Sequence, residues 1–193
     1  MDNLVLVKNR LSTSASIKTT ISKDEKMVSL IVEIAAVIVQ AFRAGNSVYF
    51  CGNGGSAADA QHLAAEFSGR FYIDRKPLPS EALHCNSSFL TAVGNDYGYE
   101  NVYSRLIEGV GKSGDVLIGL STSGNSINII KAFSVARQKG LVTIGLVGET
   151  GGKMLGLTDF LIQIPSIDTP RIQEAHITVG HIICEIVECT LFA

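Results

Sequence analysis

Two stretches of this chain combine glycine with hydroxyl and amide side chains: Gly52-Asn53-Gly54-Gly55-Ser56-Ala57 and Ser121-Thr122-Ser123-Gly124-Asn125-Ser126. Each follows a short apolar run and leads straight into a helical pattern. Glycine lets a backbone approach a ligand closely, hydroxyls donate hydrogen bonds, and a helix N-terminus favours an anion. Neither stretch holds Lys or Arg, so together they describe an uncharged phosphate cradle. The first also fits G-x-G-x-x-A, the weak dinucleotide pattern. That reading wants an acid after the next strand to hold a ribose, and Leu83-His84-Cys85-Asn86-Ser87-Ser88 offers none. No Gly-Lys-Ser/Thr follows, so it is not a Walker motif. A small phosphorylated metabolite fits better than a nucleotide, and no nucleotide cofactor is expected.

The titratable candidates fall on two helical patterns. His62 and Glu66 lie four apart and share a face. The residues around them, Ala57 to Phe67, are mostly small and apolar, as in a largely buried helix, and a buried carboxylate needs a partner. A late helical pattern carries Gln173, Glu174, His176 and His181 among Ile172, Ile177, Val179, Ile182 and Ile183. Helical spacing aligns Glu174 with His181 better than Gln173 with His181. Spacing alone leaves the partner of His181 open.

Positioning these residues requires a particular scaffold. Apolar runs at Ser47–Cys51, Glu81–Cys85, Val116–Leu120, Val142–Val147 and Phe160–Ile164 alternate with helical patterns at Ala57–Phe67, Phe89–Val93, Glu100–Val110, Ser126–Lys139 and Arg171–Leu191. Short continuous apolar strands alternating with helices indicate βαβ units and a parallel sheet. Right-handed crossovers place helices on both faces. The expectation is a three-layer αβα sandwich with about five strands, in which ligands bind beyond the carboxyl ends of the strands. Residues 1–193 read as one domain, a helical segment of about 1–44 before a sandwich core of about 45–193. Residues 1–23 read as a helix with an irregular tail. Ser22 followed by Glu25 matches a capping box for the next helix, which ends near Arg43-Ala44-Gly45.

Composition narrows the function classes. The chain has 193 residues, 46% hydrophobic and 18% charged, with net charge −2. Disorder needs the opposite balance, and a near-neutral chain has no basic footprint for nucleic acid or an anionic membrane. The start has no basic region followed by a long apolar run, so a cytoplasmic protein is expected. The apolar stretch Met27–Phe42 is short of the ~20 residues of a membrane span. Cys51, Cys85, Cys184 and Cys189 show no metal or redox spacing and read as buried free thiols. Met27–Val39 is apolar around most of its circumference. A helix apolar all round is buried all round, so its outer side calls for a second subunit.

At the two loops the chain resembles the sugar isomerase (SIS) domain family. The resemblance sharpens at His62, Ala65-Glu66, Ser68-Gly69-Arg70, Gly94-Asn95-Asp96 and Arg171-Ile172-Gln173-Glu174-Ala175-His176, a set similar to the phosphoheptose isomerases. It implies a flavodoxin-like SIS fold and an enediol isomerisation of sedoheptulose 7-phosphate to D-glycero-D-manno-heptose 7-phosphate. It implies a cytoplasmic homotetramer with active sites between subunits. Substrate contacts are implied at Asn53, Gly54, Gly55, Ser56, Arg70, Asn95, Asp96, Ser121, Thr122, Ser123, Ser126 and Gln173. The implied acid and base are Glu66 and His181, with Glu66 as base and His181 as acid, or the reverse. A zinc site is implied at His62, Glu66, Gln173 and His181. Asn86 stands where relatives commonly show Asp, which keeps an isomerase for another sugar phosphate as an alternative. A non-catalytic relative, associated with the bacterial replication initiator, shares the fold but lacks the Glu and His pair, so Glu66 and His181 favour the enzyme.

Overall fold

The computed structural model describes residues 2–193. Five strands form one sheet: β1 (Val48–Gly52), β2 (Ser80–Ala82), β3 (Val116–Ser121), β4 (Val142–Val147) and β5 (Phe160–Gln163). All neighbours pair in parallel, in the order β2-β1-β3-β4-β5. The helices are α1 (Asn3–Lys23), α2 (Glu25–Arg43), α3 (Gly55–Ser68), α4 (Ser87–Tyr97), α5 (Val102–Val110), α6 (Ile127–Gln138) and α7 (Thr169–Phe192). Two apolar clusters form, one on each sheet face. One joins α1, α2, α3 and α7 through Ile34, Ile38, Leu63, Phe67, Ile118, Ile144 and Val179. The other joins α4, α5 and α6 through Val93, Ile107, Leu117, Ile129 and Phe133. This is the expected three-layer sandwich.

The structure corrects several boundaries. Ser22 does not open α2. It lies inside α1, where its hydroxyl donates to Thr19 O at 2.9 Å. Asp24 caps α2 instead, its Oδ1 accepting from Lys26 N at 3.0 Å and Met27 N at 3.2 Å. A carboxylate at this position adds charge–dipole attraction to the hydrogen bonds. The expected irregular tail is absent, because Asp2 caps a continuous 21-residue α1. β2 stops at Ala82, where Cys85 N turns back to Ala82 O. α4 runs well beyond Phe89–Val93, with Asn86 as its cap accepting from Phe89 N at 3.0 Å. Asp would cap equally well, which accounts for Asn at that position.

One further expectation shifts: all four cysteines are free, but only Cys51 and Cys184 are buried. Met27–Phe42 does fall short of a membrane span, and among the described residues α7 is the one helix long and apolar enough to cross a membrane. Here α7 packs along α2 and α3 and contributes to the core.

Within α7, His176 is fully buried and its Nε2 lies 3.2 Å from Val147 O, while Nδ1 has no partner. Burial lowers its pKa to about 4, against a smaller upward pull from the Val147 carbonyl. The unfolded chain takes up this proton near pH 6.5 and the folded chain near 4. Stability from this group is therefore complete above about pH 6.5 and declines as pH falls toward 4. Between pH 7.5 and 5, denaturant unfolding of the wild type should lose about 2 kcal/mol more than His176→Leu. Parallel pH dependences in the two proteins would remove His176 as the cause.

Candidate active site

In the order β2-β1-β3-β4-β5 the winding direction reverses between β1 and β3. At such a reversal the loops leaving adjacent strands diverge to opposite faces and leave a crevice. Gly52–Ser56 leaves β1 and Ser121–Ser126 leaves β3, so the two hydroxyl- and glycine-rich loops flank that crevice. Asp2, Asp24 and Asn86 cap α1, α2 and α4, whereas α3, α5, α6 and α7 have no side-chain cap, and of these α3 and α6 start at the crevice loops. Uncapped first-turn amides and the positive end of the helix dipole face whatever enters there.

Side chains fix the loops. Asn53 and Asn128 exchange amide hydrogen bonds, Asn53 Nδ2 to Asn128 Oδ1 at 2.9 Å and Asn128 Nδ2 to Asn53 Oδ1 at 2.8 Å. Tyr99 donates to Asn53 Oδ1 at 3.1 Å, and the Tyr103 hydroxyl donates to Gly52 O. Ser121 and Ser126 pair through their hydroxyls at 2.9 Å. Ser123 Oγ accepts from Asn125 N at 3.2 Å. Gly124 has φ +64°, and a Cβ there would collide with Gly151 O, so glycine alone lets the segment after β4 brace this loop.

The titratable residues converge. His62 Nε2 lies 2.9 Å from His181 Nε2 and 3.1 Å from Glu66 Oε1. Glu174, the candidate partner favoured by spacing, turns to Arg171 at 2.5 Å. The Gln173 amide lies against Gly55, where a Cβ would come 2.6 Å from its Nε2. So His181 meets neither residue of its own helix and meets α3 instead. Gly180 sets the approach, since a Cβ there would stand 2.5 Å from Leu63 Cδ1.

Burial, then the neighbouring His62 imidazole, hold His181 below the usual histidine range, with Glu66 pulling the other way. A neutral imidazole can accept a proton or bind a metal. Asp59, one turn before His62, has its carboxyl pKa raised by burial, against the pull of His62. Its Oδ2 is buried without a partner.

One nitrogen of His62 thus faces two other ligating atoms, although it offers only one proton or one lone pair. The three ligating atoms lie within 4.8 Å of one another. Two imidazoles and a carboxylate converging on one point suit a divalent cation such as zinc. The remaining expected site residues stand apart. Arg70 is exposed beyond α3, while Asn95 and Asp96 are exposed at the end of α4 and bonded to one another at 2.8 Å.

The SIS domain family matches residues 12–148. The chain is 51% identical over 186 residues to the phosphoheptose isomerase of Aneurinibacillus thermoaerophilus, covering 96% of this chain and 94% of that protein. The chain belongs to the phosphoheptose isomerase family of SIS domains. The phosphoheptose isomerase of Clostridium acetobutylicum is 50% identical, over 96% of this chain and 95% of that one. The solved phosphoheptose isomerase of Neisseria gonorrhoeae superposes with a TM-score of 0.90 at 38% identity, covering 96% of this chain and 98% of that one. The family match ends before β5 and α7, so it does not reach His181, whose place in the site is given by the structure.

Several residues that build the site escaped sequence reading, among them Asn128, Tyr99 and Phe71. Asn128 was detectable only as a polar residue in the buried first turn of α6. Asn128→Ala should lower the unfolding free energy by about 1–3 kcal/mol, because the half-buried Asn53 amide then keeps only the Tyr99 hydroxyl as a side-chain partner. It should also raise KM through the freed loop, and a variant with unchanged stability and KM would deny the amide pair this role.

Proposed function

We propose that this chain is an aldose–ketose isomerase interconverting sedoheptulose 7-phosphate and D-glycero-D-manno-heptose 7-phosphate. The observation that carries the reading is the convergence of His62, Glu66 and His181 on α3 and α7, with an uncharged anion cradle at the start of the same α3. His62 lies seven residues beyond Gly55, about 10 Å of helical rise. A phosphorylated sugar of several carbons can bridge that span. Its phosphate then lies on the α3 and α6 N-termini with Ser121, Thr122, Ser123 and Ser126.

Isomerisation moves a proton between C1 and C2 through an enediol. A carboxylate and an imidazole cover the required exchanges near neutral pH. Glu66 has a side chain only 20% exposed, and it takes the carbon proton as base. His181, disposed to be neutral, moves protons on the oxygens. The reverse assignment uses the same geometry. Asn53, Gly54, Gly55, Ser56 and Gln173 line the path between phosphate and reacting carbons. Zinc held by His62, Glu66 and His181, to which the resemblance adds Gln173, would polarise the substrate carbonyl when bound, and its bonds to Glu66 and His181 would compete with their proton transfers.

We read residues 1–193 as one SIS domain working in the cytoplasm as a homotetramer, with sites completed across subunits. Three observations support the assembly. α1 has 21 residues but buries only Ile17 and Ile21, and a helix so exposed gains little from packing within its own chain. Leu4, Val5, Val7 and Leu11 of α1, with Val32 of α2, are exposed. Arg70, Asn95 and Asp96 face solvent instead of the trio, as residues serving a neighbouring site would.

Turnover of sedoheptulose 7-phosphate, assayed with and without chelator, tests the reading directly. Glu66→Gln should keep fold and substrate binding while kcat falls at least ~100-fold. Near wild-type turnover would remove Glu66 from the mechanism. Light scattering should give a tetramer mass at micromolar concentration, and an active monomer would refute the assembly.

A further inference from the structure

The isomerase mechanism leaves one buried ion cluster unused. Glu188, seven residues beyond His181 on α7, is 1% exposed. Its Oε1 accepts from Phe71 N at 3.0 Å and Arg75 Nε at 2.9 Å. Its Oε2 accepts from Tyr72 N at 2.6 Å and Ile73 N at 2.9 Å. Three successive backbone N–H groups thus form an anion-binding concavity that the chain fills with its own carboxylate. Burial pushes the Glu188 pKa up, but the three amides and the Arg75 guanidinium outweigh it and hold it below the usual range.

Arg75 spends its other donors on carbonyls: Glu66 O at 2.7 Å, Phe67 O at 2.7 Å, Gly69 O at 3.0 Å and Lys76 O at 3.1 Å. The segment after α3 is therefore tied to α7 and to the backbone of Glu66 itself. A buried ion pair adds little net stability over an apolar pair of similar volume, and its better-attested use is to specify one conformation.

The conformation specified here bears on His181. Phe71 stacks on the His181 ring, with centroids 5.6 Å apart and planes 27° apart. Among the described residues, the only hydrogen-bond contact of the His181 ring is Nε2 with His62. A working histidine ordinarily has its second nitrogen held by an acceptor that fixes the ring. The Phe71 face takes that place. We propose that Glu188 is a positioning residue: by anchoring the amides of Phe71, Tyr72 and Ile73 it holds the Phe71 ring against His181 and so aims the imidazole at His62 and Glu66.

This inference rests on the isomerase reading, and the experiment separates the two. Wild type, Glu188→Gln, Phe71→Leu and the double variant are compared in sedoheptulose 7-phosphate turnover and in zinc-ion affinity, measured against a chromophoric chelator. Each single variant should lose roughly tenfold or more in kcat and in zinc affinity, with KM within about threefold of wild type. The double variant should be no worse than the weaker single variant by more than about twofold, since both act through one ring. If Glu188→Gln does not fold, Phe71→Leu carries the same two readouts alone. Folded variants with unchanged kcat and zinc affinity, or losses that multiply in the double variant, overturn the positioning role. A wild type without turnover whose zinc affinity still drops in both single variants overturns the isomerase reading and upholds the positioning role.

Discussion

The placement of β1 between β2 and β3 governs everything at the site. Residues 53 and 121 are far apart in sequence, yet a parallel sheet in the order β2-β1-β3-β4-β5 sets their strands side by side and ends them at one edge. The chain leaves β1 toward one face and β3 toward the other, so nothing fills the gap between the two loops. An open crevice at a sheet edge would leave polar backbone poorly supported. The reciprocal Asn53–Asn128 amide pair supplies that support, linking the first loop to the first turn of α6. The Asn128 oxygen also accepts from Ile129 N at 3.0 Å, so one buried amide serves both the loop and the helix start.

The second constraint is the contact between α3 and α7. His62 and His181 come from elements on either side of Leu63 and Gly180, and those two residues set the helix separation. Leu63 is 1% exposed and presses on the bare Cα of Gly180. Close packing of this kind transmits small volume changes because interiors have few voids. The 2.9 Å spacing of the two imidazole nitrogens is thus a packing outcome as much as a chemical one. The Glu188–Arg75 cluster acts on the same helices two turns further along α7, joining α7 to the segment that leaves α3.

Features that depend on local pattern were legible in the sequence. β4 was read to its observed bounds because Val142–Val147 is a largely apolar run lying between Gly140-Leu141 and Gly148. The two glycine- and hydroxyl-rich loops were legible as strand-to-helix turns, because each follows an apolar run and opens a helical pattern. Competition was not legible: Ser22-x-x-Glu25 is a sound cap pattern, but Asp24 lies between and wins with a charged acceptor. Partner choice across elements was hidden too. Spacing along α7 favoured Glu174 for His181, while the fold sends Glu174 to Arg171 and brings His62 from another helix. Nothing in the sequence around Glu188 marks it as special. Its role depends on three amides more than a hundred residues away.

Residue type alone does not separate working groups from structural ones. Both His176 and His181 sit on α7, five residues apart, with pKa values lowered first by burial. His176 is sealed in the core with Nε2 committed to the Val147 carbonyl, so no partner can reach it. His181 is only partly buried and keeps its Nε2 at the meeting point with His62 and Glu66. The two carboxylates divide in the same way. Glu188 has four donors and no solvent, which satisfies its charge and makes it inert. Glu66 touches His62 and remains partly open, so its carboxylate has acceptor capacity to spare. Reactivity here follows from unsatisfied capacity that a ligand can reach: His176 Nδ1 is also unpartnered, but it is sealed in the core, whereas His62, Glu66 and His181 stay partly open.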